Sequence, residues 1–263
     1  MATAKDLQVK PIASADAIAF VKAHHYSGKV TQNSQLHLGV FLQDRLHGVM
    51  QFGPSLDKRK IQGLVSGTLW HEFLELNRMA FDDVLPRNSE SRALSVAWRL
   101  LKKHAPQVKW VVSFADGTQC GDGTIYRAAG FVLTGINKNL GLYNMPNGEI
   151  CSIVTFADGA KGGGTTKRRH GYSEGEGATR FMRRVGGKHV PGFQLRYMYF
   201  IDPAYRARLT VPELAYSEIK ARGATMYKGQ RPTSGTGETD NAAHSRAQTG
   251  GASPTVPLLN HGS

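Results

Sequence analysis

The stretch SFADGTQCGDGTIYRAAGFVLTG, residues 113–135, decides how the rest of the chain reads. It is preceded by Lys109-Trp110-Val111-Val112, so an apolar run rich in β-branched and aromatic residues continues through Ser113, Phe114 and Ala115. Such a run is the pattern of a buried strand, and it stops at Asp116-Gly117. Asp116 therefore stands at the carboxyl end of that strand. In open α/β sheets ligands bind just beyond such ends, where a side chain can project into a crevice without breaking the ladder. Glycines punctuate residues 121–123, residues 124–129 have helical character, and Gly130 is a natural residue just past a helix end. Phe131-Val132-Leu133-Thr134 then begins another strand. A strand, turn and helix this short let Asp116 and Tyr126 share one crevice.

Around this stretch, 263 residues with 40% hydrophobic content suffice for one domain of good size or two small ones. A net charge of +13 and a pI near 9.9 favour an anionic partner over mere solubility. The two cysteines, Cys120 and Cys151, have no CxxC spacing, so neither a disulfide framework nor a cysteine zinc site is expected. A reducing, cytoplasmic setting fits. No apolar run approaches membrane-spanning length and MATAKDLQVK holds no signal-peptide core, so no membrane partner is expected.

Upstream, residues 7–13 read as an edge strand that tolerates Pro11. Ser14-Ala15-Asp16 offers an N-cap for a helix running to Tyr26 and ended by Ser27-Gly28. His24, His25 and Tyr26 then sit at a helix C-terminus, where the dipole favours cations; capping is their plain structural reading and entry into a pocket the functional one. Residues 36–42 and 46–53 flank a hairpin turn. Lys58-Arg59-Lys60 form a basic cluster beside it, either a solvated loop or a phosphate contact. Residues 70–81 alternate imperfectly, and a strand is preferred to a helix because a loop and a capped helix follow. That junction, Arg87, Asn88, Ser89 and Ser91 at the start of a helix reaching His104, can hold an anion such as a pyrophosphate on unpaired N–H groups.

Downstream, residues 150–156 read as a strand and residues 193–201 as a late strand returning to the sheet. Residues 211–221 read as a short helix with Pro212 near its start. Residues 159–208 hold eleven Lys/Arg against three acids, a balance of +8 within the chain's +13. The glycines of residues 161–188 suggest flexibility. With Tyr172 and Phe181 interleaved, the cations Lys167, Arg168, Arg169, Arg180, Arg183 and Arg184 suit phosphate contacts and base stacking, which makes nucleic acid the favoured partner. From residue 229 to residue 263 no aromatic occurs and a disordered tail is expected.

The order strand, short helix, Gly130-Phe131, strand resembles the C-terminal half of the GNAT acyltransferase fold, which implies a mixed α/β central sheet flanked by helices. In that fold the strand, loop and helix matching residues 72–104 grip the coenzyme A pyrophosphate, although the usual glycine-rich loop is missing here. The chain is also similar to the phage Mom DNA-modification family over residues 5–228. HYSGKV at residue 25, LHLGVF at 36, QFGPSLDKRK at 51, EFLELNRMAF at 72, LPRNSESRA at 85 and SFADGTQCGDGTIYRA at 113 carry the similarity. It implies a GNAT-like catalytic core over residues 1–158, a basic DNA-contacting insertion plus late strand and helix over 159–228, and the tail over 229–263. The implied activity is conversion of DNA adenine to its N6-carbamoylmethyl form, protecting phage DNA from host restriction in the bacterial cytoplasm; the alternative is a conventional GNAT acetyltransferase acting on a protein or small amine.

The resemblance further implies iron near His25, Tyr26, Asp116 and Tyr126, with Arg78 also needed for activity. Imidazole, carboxylate and phenolate form a nitrogen and oxygen set suited to iron. Tyr126 as metal ligand competes with Tyr126 as general acid toward a departing thiolate, and Asp116 as ligand competes with Asp116 as acceptor of the N6 proton. Simple acyl transfer would leave a carbonyl on N6 where the family product has a methylene. The donor is accordingly either activated acetyl-coenzyme A or an aminoacyl carrier such as glycyl-tRNA. The adenine must leave the base stack to be reached.

Overall fold

The computed structural model describes residues 2–117, 122–157 and 164–224. In chain order these form β1 (Gln8–Pro11), α1 (Ser14–His24), β2 (Leu36–Leu42), β3 (Arg45–Gly53), α2 (Lys58–Gln62), β4 (Phe73–Phe81), α3 (Ser89–His104), β5 (Trp110–Asp116) and α4 (Thr124–Ala128). There follow β6 (Val132–Lys138), β7 (Leu142–Asn144), β8 (Ile150–Ser152), α5 (Gly164–Arg169), α6 (Ala178–Val185), β9 (Lys188–His189), β10 (Phe193–Phe200) and α7 (Ser217–Ala221). The main sheet runs β1-β2-β3-β4-β5-β10-β6, antiparallel except for the parallel β4–β5 pair. This is the mixed central sheet flanked by helices that the GNAT resemblance implies.

Each layer follows from its residues. Trp110 to Ser113 are buried without a break, which explains the unalternating run of β5. The apolar stripe of α3, Ala93, Leu94, Ala97, Trp98 and Leu101, covers one face of the sheet, packing with Met50, Phe52, Leu76, Val111 and Leu195. Two smaller clusters cover the other face. Phe20 and Val21 of α1 meet Val49 and Ala80, and Ile61 of α2 meets Phe73, Trp110 and Val112. Pro11 lies on edge strand β1, where it faces Leu38 and its missing N–H disrupts no interior ladder. At the β2–β3 turn Gln43 and Asp44 both take positive φ, the primed geometry that matches the strands' twist.

Between β6 and β10 the chain leaves the main sheet and builds a small one, β8-β7-β9, backed by α5 and α6 around Met145, Cys151, Phe156, Phe181 and Met182. The small sheet takes β7 and β8 from before residue 158 and β9 from after it. The flexible basic loop expected over residues 161–188 is therefore corrected for its described part, which holds two helices and a strand. Phe181 is fully buried in that core, so it is not a stacking platform for bases. Residues 150–156 are strand only to Ser152, after which a 3-10 turn carries Phe156 inward. The helix expected over residues 211–221 is confined to Ser217–Ala221, because Leu214 pairs with Leu133 in an extended bridge. α1 begins at Ser14 with Ala13 as its cap, not with a Ser14–Asp16 cap, and ends at His24. α3 starts at Ser89, on a left-handed Asn88. Lys161, Cys120 and the tail expected over 229–263 lie outside the described residues. Among the described residues no helix is long and apolar enough to cross a membrane.

Candidate active site

The parallel pairing of β4 and β5 lasts three residues, Phe73 to Glu75 against Trp110 to Val112. Beyond it β4 stays with β3 as far as Phe81 and β5 pairs with β10 as far as Asp116, so the two strands part. A β-bulge accompanies the parting: Gln51 faces Arg78 and Phe52 faces Leu76, leaving Asn77 as the extra residue. That bulge accounts for the imperfect alternation of residues 70–81. The Leu76 carbonyl, one residue past the last position paired with β5, lies 3.2 Å from the Ser113 hydroxyl, which is also 3.0 Å from the Tyr126 hydroxyl. Ser113 thus stands where the strands diverge and can give its single proton to either oxygen.

Tyr126 reaches this fork from α4 on the α3 side of the sheet. Its ring stacks on Tyr197 with centroids 5.0 Å apart and meets Phe131 edge-on at 5.1 Å. Gly123, at φ +71°, opens the α4 turn where an added Cβ would strike the Tyr197 ring, and the Tyr197 hydroxyl donates to the Asp122 carbonyl. Desolvation pushes the Tyr197 phenol far above its ordinary range, so it stays protonated as a structural donor.

From the opposite side come His25, Tyr26 and Arg78. His25 is the C-cap of α1, its N–H donating to Val21 O, and extended backbone there turns Tyr26 away from the helix. The two rings lie 4.3 Å apart. Burial, with the Arg78 guanidinium in second place, pushes His25 down to about 3, so the imidazole is neutral. Its Nδ1 lies 2.8 Å from the Ser27 hydroxyl and 3.2 Å from the Ser27 N–H. Arg78 is locked in place: Nη1 donates to Asn77 O at 2.7 Å and Nε to Lys29 O at 3.1 Å. Strand alternation sends Asp116 to this side too, because Phe114 packs against the α2 cluster and Ala115 against the α3 cluster. The structure therefore brings His25 to Arg78 and Tyr126 to Ser113, from the two sides of one fork.

The α3 N-terminus is differently disposed. Ser89 is fully buried; its hydroxyl donates to Pro86 O at 2.6 Å and its N–H to the same carbonyl at 3.3 Å. The Ser91 hydroxyl donates to Asn88 O. Arg87 and Asn88 are exposed at the junction. Both serine hydroxyls expected to hold an anion are thus turned onto the chain's own carbonyls.

The basic residues divide similarly. Arg59, Lys60, Arg168, Arg180 and Arg183 are exposed. The Lys58 ammonium lies 4.3 Å over the ring of Trp70, which is itself 54% exposed. Arg169 pairs with Glu149 and Arg184 with Glu176. Lys167 is buried, its ammonium donating to Ala157 O at 2.9 Å and Glu174 at 2.6 Å. If the exposed cations meet DNA phosphates, replacing Arg180 and Arg183 together by glutamine should flatten the slope of log affinity for duplex DNA against log salt by about 1.8. Lys167→Met should leave that slope unchanged and lower the thermal midpoint. Fluorescence anisotropy over a salt series and differential scanning fluorimetry separate the two effects.

Several members of the site escape sequence reading. Ser113 lies inside a buried run and Ser27 beside a helix end, and neither is marked by its type. Glu75, at the last paired position of β4, is held above the ordinary carboxyl range by burial, with Asn77 and Arg78 opposing. Its position in an alternating strand reads simply as a solvent-facing acid.

A model of the Mom protein family matches residues 6–218. The "Methylcarbamoylase mom" of Escherichia phage Mu is 34% identical over 206 residues, covering 78% of this chain and 80% of that protein. Among solved structures, the spermidine/spermine N-acetyltransferase from Vibrio cholerae aligns at 8% identity with a TM-score of 0.43, covering 78% of this chain and 99% of that one. The ribosomal-protein-S18-alanine N-acetyltransferase from Escherichia coli aligns at 11% identity with a TM-score of 0.41, covering 74% and 94%.

Proposed function

The chain belongs to the Mom protein family, and from that premise we propose that it is a transferase that modifies adenine in double-stranded DNA, carrying N6 to its carbamoylmethyl form at the β4–β5 fork. The observation that carries this reading is the fork itself, with Tyr126 hydrogen-bonded to Ser113 at its apex and a neutral His25 beside Arg78 on its far side. The exposed cations supply a sequence-independent hold on phosphates, and an adenine swung out of the stack would present N6 between the two sides of the fork.

Each residue has a task in this scheme. Arg78 holds the loop bearing Tyr26 to β4 through Lys29 O and directs positive charge at the acyl carbonyl of the donor. Asp116, at the strand end, accepts the proton that N6 must lose as its new bond forms. Tyr126 gives its proton to the departing ester oxygen of a glycyl carrier, and Ser113 then turns its own hydroxyl toward the phenolate oxygen. The N6-glycyl product rearranges to its isomer, with the methylene on N6 and the glycyl nitrogen as the amide, so that no oxidant is needed. The donor set also suits iron: burial keeps His25 neutral, as a metal ligand must be, and the remaining groups supply carboxylate and phenol oxygens. His25, Tyr26, Asp116 and Tyr126 would hold the ion, Asp116 and Tyr126 then serving as ligands in place of their proton-transfer roles, and a bound ion would supply Lewis-acid polarisation of the donor carbonyl. The Ser27 N–H donates to Nδ1, which fixes the ring with that nitrogen as an acceptor.

The test is mass spectrometry of nucleosides from plasmid DNA of cells expressing the parent chain or Asp116→Ala. A deoxyadenosine heavier by an acetamide group, present only with the parent, is the expected result. Unmodified adenine in both, with both proteins folded, overturns the reading.

A further inference from the structure

Away from the fork, the described residues contain one group of three converging His, Cys and carboxylate ligands: Glu149, Cys151 and His170, whose ligand atoms all lie within 4.8 Å of one another. We propose that these three residues form a second metal site, for a zinc-class divalent cation, which ties β8 to the end of α5. This site is separate from the fork and does not rest on the DNA-modification reading.

The geometry comes from two elements. Glu149 and Cys151 are two apart, one just before β8 and one within it, so they face the same side of an extended chain. His170 follows α5 directly, its N–H donating to Thr166 O to close the last turn. His170 Nε2 lies 2.9 Å from Glu149 Oε2 and 4.0 Å from Cys151 Sγ. Zinc bonds of about 2.0–2.3 Å in a tetrahedron set ligand atoms roughly 3.3–3.7 Å apart, so movements below about 1 Å bring the three into place. The two neighbours share one ring nitrogen. That excludes a catalytic-triad arrangement, in which base and orienting acid take opposite nitrogens, but it is what a common ion requires. Three protein ligands leave a fourth position for water.

The surroundings support a structural ion. Cys151 is fully buried beside Phe156, Phe181 and Met182, and Phe156 meets the His170 ring edge-on at 6.1 Å. Those four and Met145 are a small core for an insert with three strands of two or three residues each. Cores of this size are commonly stapled by a metal or disulfide. The charged groups facing the cluster are Lys29, 3.6 Å from Glu149 Oε1, and Arg169, 3.1 Å from Oε2. Binding leaves the Oε1–Lys29 pair in place, while Arg169, an exposed side chain, gives up Oε2 to the ion. In the metal-free protein burial raises the Cys151 thiol to about 11, so the cation must displace that proton as the sulfur–metal bond forms. The binding step is therefore M²⁺ plus thiol giving metal thiolate plus one H⁺, with no redox change.

The experiment adds Co²⁺ to the metal-stripped full chain, in an Asp116→Ala background that disables the fork's donor set, and records the near-ultraviolet spectrum. The expected result is a thiolate-to-cobalt charge-transfer band saturating at one equivalent, bleached by stoichiometric Zn²⁺, with a rise in thermal midpoint. The band should be kept in Cys120→Ser and lost in Cys151→Ser. His170→Asn and Glu149→Gln, which retain the fold's packing, should weaken Co²⁺ binding at least about 100-fold, since even outer-shell partners are worth 10–100-fold. A band lost in Cys120→Ser rather than Cys151→Ser, or saturation unaffected by His170→Asn and Glu149→Gln, overturns the proposal, as does the absence of any band.

Discussion

Replacing Tyr126 by phenylalanine is expected to slow adenine modification by about 10²–10⁴-fold while leaving the thermal midpoint within a few degrees of the parent. The ring does the structural work: it stacks on Tyr197 and meets Phe131 edge-on, and phenylalanine preserves both contacts. Once the Tyr126 hydroxyl is gone, Ser113 still donates to Leu76 O at 3.2 Å, so the Ser113 donor is not orphaned. A large loss of rate with little loss of stability is therefore the signature of a hydroxyl used in the chemistry. The same variant divides the two roles open to Tyr126. If the phenol is a metal ligand, Tyr126→Phe also lowers the iron retained by the purified protein; if it is the proton donor, iron is retained and the basic limb of the pH–rate profile disappears. Single-turnover modification of plasmid DNA, with metal content measured on the same preparations, reads both. An undiminished rate removes Tyr126 from the mechanism.

How far the site could be read in advance depended on whether a residue's neighbours in space were also its neighbours in sequence. The frame from Asp116 through Tyr126 to Phe131 is local, and its glycine punctuation and buried strand are legible from pattern alone. The insertion of β10 between β5 and β6 is not, since strand pairing at separations of 55 to 90 residues leaves no periodic trace. Asn77 misled in the other direction, because a bulge shifts every later side chain by one and blurs the alternation that marks a strand. The basic insert looked like loop because its helices are short and its core is made of residues scattered from Met145 to Met182. Lys167 belongs to that core, and its charge counts toward the +8 as if it were at the surface. Net charge is additive along a sequence; accessibility is not.

Arg78→Ala is expected to abolish modification and to destabilise the chain by about 1–3 kcal/mol, and a titration distinguishes its two contributions. The guanidinium satisfies two backbone carbonyls, Lys29 O and Asn77 O, so truncation leaves both without that donor and removes the tie between Lys29 and β4. Arg78→Lys keeps a charge but has no fork to span both carbonyls, so it should recover only part of the loss. The electrostatic contribution shows at His25. Burial is the larger cause of its depressed pKa and Arg78 the smaller, so removing Arg78 raises that value without restoring it to the ordinary one. The sign follows from linkage. Between pH 6.5 and about 3 the unfolded chain takes up a proton that folded His25 refuses, so stability falls as pH falls, by at most about 1.4 kcal/mol per unit. In Arg78→Ala the folded value lies higher, the window is narrower and the acid loss should be shallower. Urea unfolding at pH 7 and pH 5, with the His25 imidazole followed by NMR, measures both effects; an unchanged His25 titration would mean that the guanidinium does not act on the ring. Lys29 carries the consequence further. Its carbonyl is held by Arg78 and its ammonium pairs with Glu149, so residues 25–29, the bulge of β4 and the small sheet's metal-ligand cluster meet at one lysine. Loss of Arg78 should therefore also weaken Co²⁺ binding at Glu149, Cys151 and His170, by less than loss of any one of the three.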